Sequence, residues 1–133
     1  MAERIELEVA TPERAVVSAQ VTDVQVPAAN GYLGILPGHA PLVSLLGAGS
    51  LSYTVAGERH FLAVQGGLVE VLASQVRVLA NIAERGEDID LAKARADMER
   101  AQQELQTASA SDPTAALEAV ALARARVAAA EGK

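Results

Sequence analysis

Side chains equipped for acid–base or nucleophilic work are few in this sequence: two histidines, scattered carboxylates and no cysteine. His39 is the natural general base, yet the Gly31 to Val43 segment around it supplies no Ser, Cys, Asp or Glu to pair with it. The nearest hydroxyl, Ser44, lacks the Gly-x-Ser-x-Gly surroundings of a nucleophile elbow. A hydrolase built on His39 is thus the weakest reading, and it predicts that His39→Ala abolishes turnover. His60, between Arg59 and Phe61, reads as a surface or satisfied strand residue. Nothing around Asp90 and Glu99 suggests the desolvation that would split the pKa values of an acid–base pair. No phosphate loop, dinucleotide fingerprint or metal-ligand spacing occurs, and no cofactor is required on this reading.

What remains distinctive is backbone chemistry. Gly34 and Gly38 allow conformations or close approaches closed to other residues, while Pro37 and Pro41 fix φ and remove donors. The Gly31 to Val43 segment is therefore read as rigid, presenting its apolar residues outward or to a neighbour; a loop with no partner fits equally well. The formal charge of −6 and pI near 4.9 disfavour nucleic acid and anionic lipid as direct partners. No apolar run approaches the roughly 18 residues of a spanning helix, so direct membrane insertion is not expected. The N-terminus resembles neither a signal nor a transit peptide, which reads as a soluble, unprocessed chain.

The elements that must position these residues divide in two. Ile5, Leu7 and Val9 alternate with Arg4, Glu6 and Glu8, the period-2 pattern of a half-buried strand. Further aliphatic runs follow at Val16–Val17, Val21 to Val26, Leu51 to Val55, Phe61 to Val64, Val69–Val71 and Val76 to Ala80, punctuated by turn signals that include Asn30-Gly31, Pro37-Gly38 and Gly66-Gly67. This pattern predicts an antiparallel all-β sandwich over residues 1–84. After the polar Glu84 to Asp88 stretch, alanine replaces strand formers, and residues 85–133 are read as an antiparallel α-helical hairpin.

Asp88 is expected to cap the first helix, with Asp90 in its first turn. Leu91, Ala94, Met98, Ala101, Leu105 and Ala108 form one seam; Ala116, Val120, Ala123, Val127 and Ala130 form its counterpart on the second helix. Asp112 is the expected cap of that second helix, with Pro113 in its first helical position. Small seam residues bury little apolar area, so the hairpin is held weakly and can rearrange.

The run Gly31-Tyr32-Leu33-Gly34-Ile35-Leu36-Pro37-Gly38-His39-Ala40-Pro41-Leu42, the later Val64-Gln65-Gly66-Gly67-Leu68-Val69-Glu70-Val71 and the Ile89-Asp90 helix start occur in telling order and spacing. Together they resemble the epsilon subunit of bacterial and chloroplast ATP synthases, a family that includes the mitochondrial delta subunit. The resemblance spans essentially the whole chain. It implies a non-catalytic subunit of the central stalk, peripheral to the cytoplasmic face of a bacterial inner membrane. Its sandwich would lie against the gamma subunit and the c-ring. Its hairpin would either fold on the sandwich or extend along gamma toward the alpha/beta catalytic head, restraining ATP hydrolysis. Tyr32, Gly34, Ile35, Pro37, Gly38 and His39 are the implied interface residues. Tyr32 stands where some relatives carry a carboxylate, a departure from a charged contact with the ring.

Some relatives bind a regulatory ATP in the folded hairpin through an Ile/Leu-Asp-x-x-Arg-Ala motif. The matching run here is Ile89-Asp90-Leu91-Ala92-Lys93-Ala94, which makes Glu84, Ile89, Asp90, Lys93, Arg100 and Arg124 the candidate ATP contacts. Lysine for arginine keeps the charge but loses the planar fork that suits phosphate. A second arginine one turn after Arg124 would be Ala128. The alternative is that Lys93, Arg95, Arg100, Arg124 and Arg126 form a solvated face or meet acidic loops of the head. A competing class for the whole chain is a free-standing β-sandwich adaptor whose hairpin docks on another client.

Overall fold

The computed structural model describes residues 3–108 and 113–133. Among them, eight strands precede a 3-10 turn and two helices. The strands are β1 (Ile5–Ala10), β2 (Ala15–Val21), β3 (Asp23–Ala28), β4 (Gly31–Ile35), β5 (Leu42–Leu45), β6 (Ala48–Val55), β7 (Glu58–Val71) and β8 (Gln75–Arg85). The turn is Gly86–Asp88, and the helices are α1 (Leu91–Thr107) and α2 (Thr114–Glu131).

The sheet runs in the order β2-β1-β8-β7-β6-β3-β4, with β5 also paired to β7. The alternation read at the start of the chain holds: Ile5, Leu7 and Val9 point into a core shared with Val24, Val26, Leu51, Leu62, Val64, Val69, Val71, Val76 and Val78. Each such aliphatic residue contributes about 1.5–3 kcal/mol on burial, and this aliphatic interior is what gives the domain its stability. One expectation is corrected. The sheet is not wholly antiparallel, because β1 and β8 pair in parallel from Glu6↔Gln75 to Ala10↔Leu79. All six intervening strands lie in sequence between them, so no hairpin dictates their relative direction.

The Gly31 to Val43 segment is less of a loop than its glycines and prolines suggest. β4 hairpins back onto β3, and β5 adds to β7, leaving only residues 36–41 irregular. Gly66-Gly67 likewise does not separate two strands. β7 continues through both residues while β8 keeps one register beside it, from Gln65↔Ile82 to Gly67↔Ala80. On its other edge β7 changes partner at this point, from β6 to β5. The glycines make a bend within a continuous ladder, one way a sandwich turns its corner.

The helix starts also differ from expectation. Asp88 lies in the 3-10 turn and Ile89 is extended, so α1 begins only at Leu91. Asp90 is its cap, accepting a hydrogen bond from the Lys93 backbone N–H at 3.2 Å. Pro113 precedes the first helical residue of α2, its carbonyl accepting from Leu117 N–H at 2.9 Å. The expected cap at Asp112 lies outside the described residues.

The hairpin is folded against the sheet, with α2 in the middle layer between β6–β7 and α1. That position explains why the single seam read from sequence is incomplete. Val120 and Ala123 pack in the seam with Ala101, Met98 and Leu105 of α1, whereas Ala125 and Ala129 are buried with Phe61 and Ala63 of the sheet. A helix buried on two sides has no single apolar stripe.

Candidate functional site

Leu36, Pro37, Gly38 and His39 close a reverse turn: the Leu36 carbonyl accepts from His39 N–H at 3.2 Å. Proline at the second position and Gly38 at φ 86° in the third match a type II turn. The Gly38 N–H donates to the Ala73 carbonyl at 2.7 Å, clamping this turn to the end of the β7–β8 hairpin. The sequence-based expectation of rigidity thus has a mechanism. His39 Nδ1 donates to the Ala40 carbonyl at 2.7 Å, and Ser44 Oγ donates to the Leu45 carbonyl at 3.1 Å. Each is engaged with a neighbouring carbonyl, and neither bonds the other.

The six loop residues singled out from sequence do not all face the same way. Tyr32 exposes its ring, 63% accessible, while its hydroxyl accepts from Ser50 N–H at 3.1 Å in a space left open by Gly49. Gly34 is exposed, Pro37 and His39 are half-buried. Ile35 is buried in the core at 1% exposure, so its side chain supports the loop and offers no contact surface. Gly34 has an ordinary φ, and a Cβ built there meets nothing within 4 Å. This chain's own fold therefore does not require glycine at that position, which fits close approach by a partner. Gly34→Val is expected to leave the melting temperature unchanged or slightly raised, since β-branched residues favour strands, while weakening partner binding at least ~10-fold through steric clash. A titration of partner against each form reads this directly; equal affinities would remove Gly34 from the interface.

Sequence reasoning missed a second, larger feature on the same domain. Leu45 of β5 lies opposite Leu68 of β7, and Leu68 lies opposite Leu79 of β8, forming one row across three strands. All three leucines are exposed, at 67%, 37% and 46%, with Val43 on the same face at 63%. Leu36 and Leu72 add exposed aliphatic surface near the clamped turn. A row of exposed leucines on an otherwise well-filled sandwich is a candidate docking surface. Arg77 offered a clue: it alternates with Val76 and Val78, which puts Leu79 on the solvent side with it.

The hairpin residues form a different constellation. Ile89 is buried among Ala63, Ala94, Ala125, Val127 and Ala129, anchoring α1 to the sheet side of α2. Gly86 is equally embedded, because a Cβ there would collide with the carbonyl oxygen of Ala129 in α2. Arg126 is the cation that sequence reading left to a surface role. Its Nε donates to Glu84 Oε1 at 2.9 Å, its Nη2 to Glu84 Oε2 at 3.4 Å, and its Nη1 to Asp97 Oδ2 at 3.4 Å. Arg100 donates to the other oxygen of Asp97 at 2.6 Å. Among the described residues, the side chains of Lys93 and Arg124 make no ion pair, and both are exposed.

At the open end of α2, Arg95 donates to Glu131 at 2.8 Å and holds its carboxyl below the usual carboxylate range. The pair's contribution is present above the unfolded-state pKa, about 4.3, and fades as pH falls through the lower folded value. Tyr53 is shifted the other way, its phenol pushed up by burial, and its ring stacks on His60 with centroids 5.1 Å apart.

Comparison with known proteins agrees with this two-part layout. Residues 4–86 match the family described as ATP synthase, Delta/Epsilon chain, beta-sandwich domain. The ATP synthase epsilon chain of Solibacter usitatus is 56% identical over 134 residues, covering 100% of both chains. That of Koribacter versatilis is 50% identical over 107 residues, covering 80% of this chain and 75% of its own. In fold, a chain of the Euglena gracilis mitochondrial ATP synthase superposes with a TM-score of 0.81 at 22% identity, over 96% of this chain and 81% of that one. A chain of the Tetrahymena thermophila mitochondrial ATP synthase central stalk and c-ring gives 0.55 at 17% identity, over 96% and 93%. The full-length match in sequence, together with the matched sandwich domain, shows that this chain belongs to the ATP synthase epsilon chain family.

Proposed function

We propose that this chain is a non-catalytic subunit of the rotary ATP synthase central stalk, joining the gamma subunit and the c-ring to the alpha/beta head, and that its hairpin restrains ATP hydrolysis. The observation that carries the reading is the aliphatic row Leu45, Leu68 and Leu79 beside the clamped Leu36–His39 turn. Such a surface suits permanent attachment to a partner and offers no reacting group. Tyr32, Gly34, Pro37, Gly38 and His39 form the end that meets the ring, and the leucine row meets gamma. The chain acts as a peripheral part of the membrane complex, on the cytoplasmic face in a bacterium. Among the described residues no helix is long and apolar enough to cross a membrane.

Family resemblance brings a regulatory ATP into question, and the residues do not fit it in this conformation. Of the six candidates, Glu84 is engaged by Arg126, Ile89 is buried, Asp90 caps α1 and Arg100 is bound to Asp97. Only Lys93 and Arg124 keep exposed side chains without ion pairs among the described residues.

Reconstitution with the purified alpha, beta, gamma and c subunits tests the assignment. Truncation after Glu87 removes both helices but keeps every strand, so it is expected to leave assembly and rotational coupling intact while raising ATP hydrolysis several-fold. Unchanged hydrolysis would remove the regulatory role from the hairpin. Failure of the full-length chain to bind gamma would favour the free-standing adaptor instead.

A further inference from the structure

We propose that the closed hairpin is latched by Arg126, acting as an internal cation between Glu84 of β8 and Asp97 of α1, and that closure therefore does not depend on nucleotide. Arg126 is the point at which all three layers meet: it sits on α2 and contacts one carboxylate from the sheet and one from the outer helix. The three side chains are partly shielded, with exposures of 24%, 37% and 26% for Arg126, Glu84 and Asp97. Screening by salt is weaker there than on the surface.

The rest of the hairpin's attachment is mostly apolar, with Ile89, Val127 and Phe61 its larger side chains, plus one hydrogen bond from Gln65 Nε2 to the Glu118 carbonyl at 3.0 Å. Ala63, Ala94, Ala125 and Ala129 supply much of the buried contact between sheet and helices, and each removes little apolar area from water. Among the described residues, the Arg126 guanidinium is the group that ties α2 by ion pairs to both the sheet and α1, whereas the Arg95–Glu131 pair joins only the two helices. The charges also balance. Arg126 and Arg100 face Glu84 and Asp97, with Asp97 shared between the two arginines through its separate oxygens. A polyphosphate seeking Arg126 must displace carboxylates already in place, so nucleotide would oppose this arrangement and not complete it. The inference holds whichever partner the subunit binds, since every participating residue is in this chain.

Hydrogen exchange of the α2 amides in the full-length subunit reads opening even when the open form is rare. Arg126→Met, which keeps the aliphatic stem, and Glu84→Gln are each expected to lower α2 protection about tenfold or more, the scale of a shielded charged hydrogen bond. The double variant is expected to add little to Arg126→Met alone, because both changes break one latch. Arg95→Met removes one cation from the exposed pair with Glu131 and is expected to change protection less than ~3-fold. MgATP added to the parent chain is expected to leave α2 protection unchanged. Parent-like protection in both Arg126→Met and Glu84→Gln, or closure that appears only with MgATP, overturns the proposal. Asp97→Asn supplies an independent readout should either of the other variants lose its sheet signal in circular dichroism.

Discussion

Leu68→Glu is expected to weaken binding of the subunit to gamma by at least ~100-fold, an effect on the scale of losing an interface hot spot. Leu68 is the centre of the aliphatic row, directly opposite both Leu45 and Leu79 on its neighbouring strands. Placing a carboxylate there would bury an unpaired charge in the complex, while in the free subunit the side chain stays at the surface. The melting temperature of the isolated sandwich should therefore hardly move, since Val69 and not Leu68 fills the core. Isothermal titration of each form with purified gamma separates the two quantities. If Leu68→Glu bound as tightly as the parent, the row would not be the attachment face.

Gly86→Val is expected to undock the hairpin without unfolding the sandwich. Any side chain at this position meets the Ala129 carbonyl of α2 and approaches the Phe61 carbonyl at 3.2 Å. Both obstacles are backbone and cannot turn aside. Overpacking of this kind costs about 1–3 kcal/mol or more, which an alanine-rich contact is poorly placed to absorb. Limited proteolysis should then cut within α1 and α2 at early times, leaving a resistant fragment that ends near Arg85. In the assembled complex the same variant should shift regulation of hydrolysis, because it removes the folded alternative while leaving the helices intact. Helices that stay protease-resistant would mean that the junction at Gly86 does not control docking.

What could be read beforehand was governed by how local the cause was. Alternation marked β1 because Glu6 and Glu8 face outward between the buried Ile5, Leu7 and Val9. β4 is hidden by its own Gly31 and Gly34 and β5 by the preceding Pro41, since both residue types are poor strand formers, although both segments pair in the sheet. The leucine row was obscured by a change of phase. Counting every second residue from Leu62 and Val64 puts Leu68 inside, but the bend at Gly66-Gly67 resets the count so that Val69 is inside and Leu68 outside. The rigid turn at Pro37-Gly38 was legible, since its requirements are carried by the two residues themselves. Ile35, by contrast, is implied as a contact only by its place in the family motif, and its burial depends on pairing with β3 that the motif does not report. Gly86 and Arg126 depend on what α2 brings to the end of β8, at a sequence separation of 42 in the Arg126–Glu84 contact. No local pattern reports such a meeting.

The parallel pairing of β1 with β8 has a consequence for how the subunit is made. On a nascent chain, β1 can find β2 at once through a short connection, but its other edge waits until Gln75 to Leu79 have left the ribosome. Through most of synthesis the sheet has an open seam of unpaired amides and carbonyls, a template for wrong pairing. The last strand of the sandwich closes that seam, and the helices emerge only afterwards. α2, which needs β6, β7 and Gly86 already in place, can settle only on a finished surface. Order of emergence thus builds the sandwich first and adds the hairpin last.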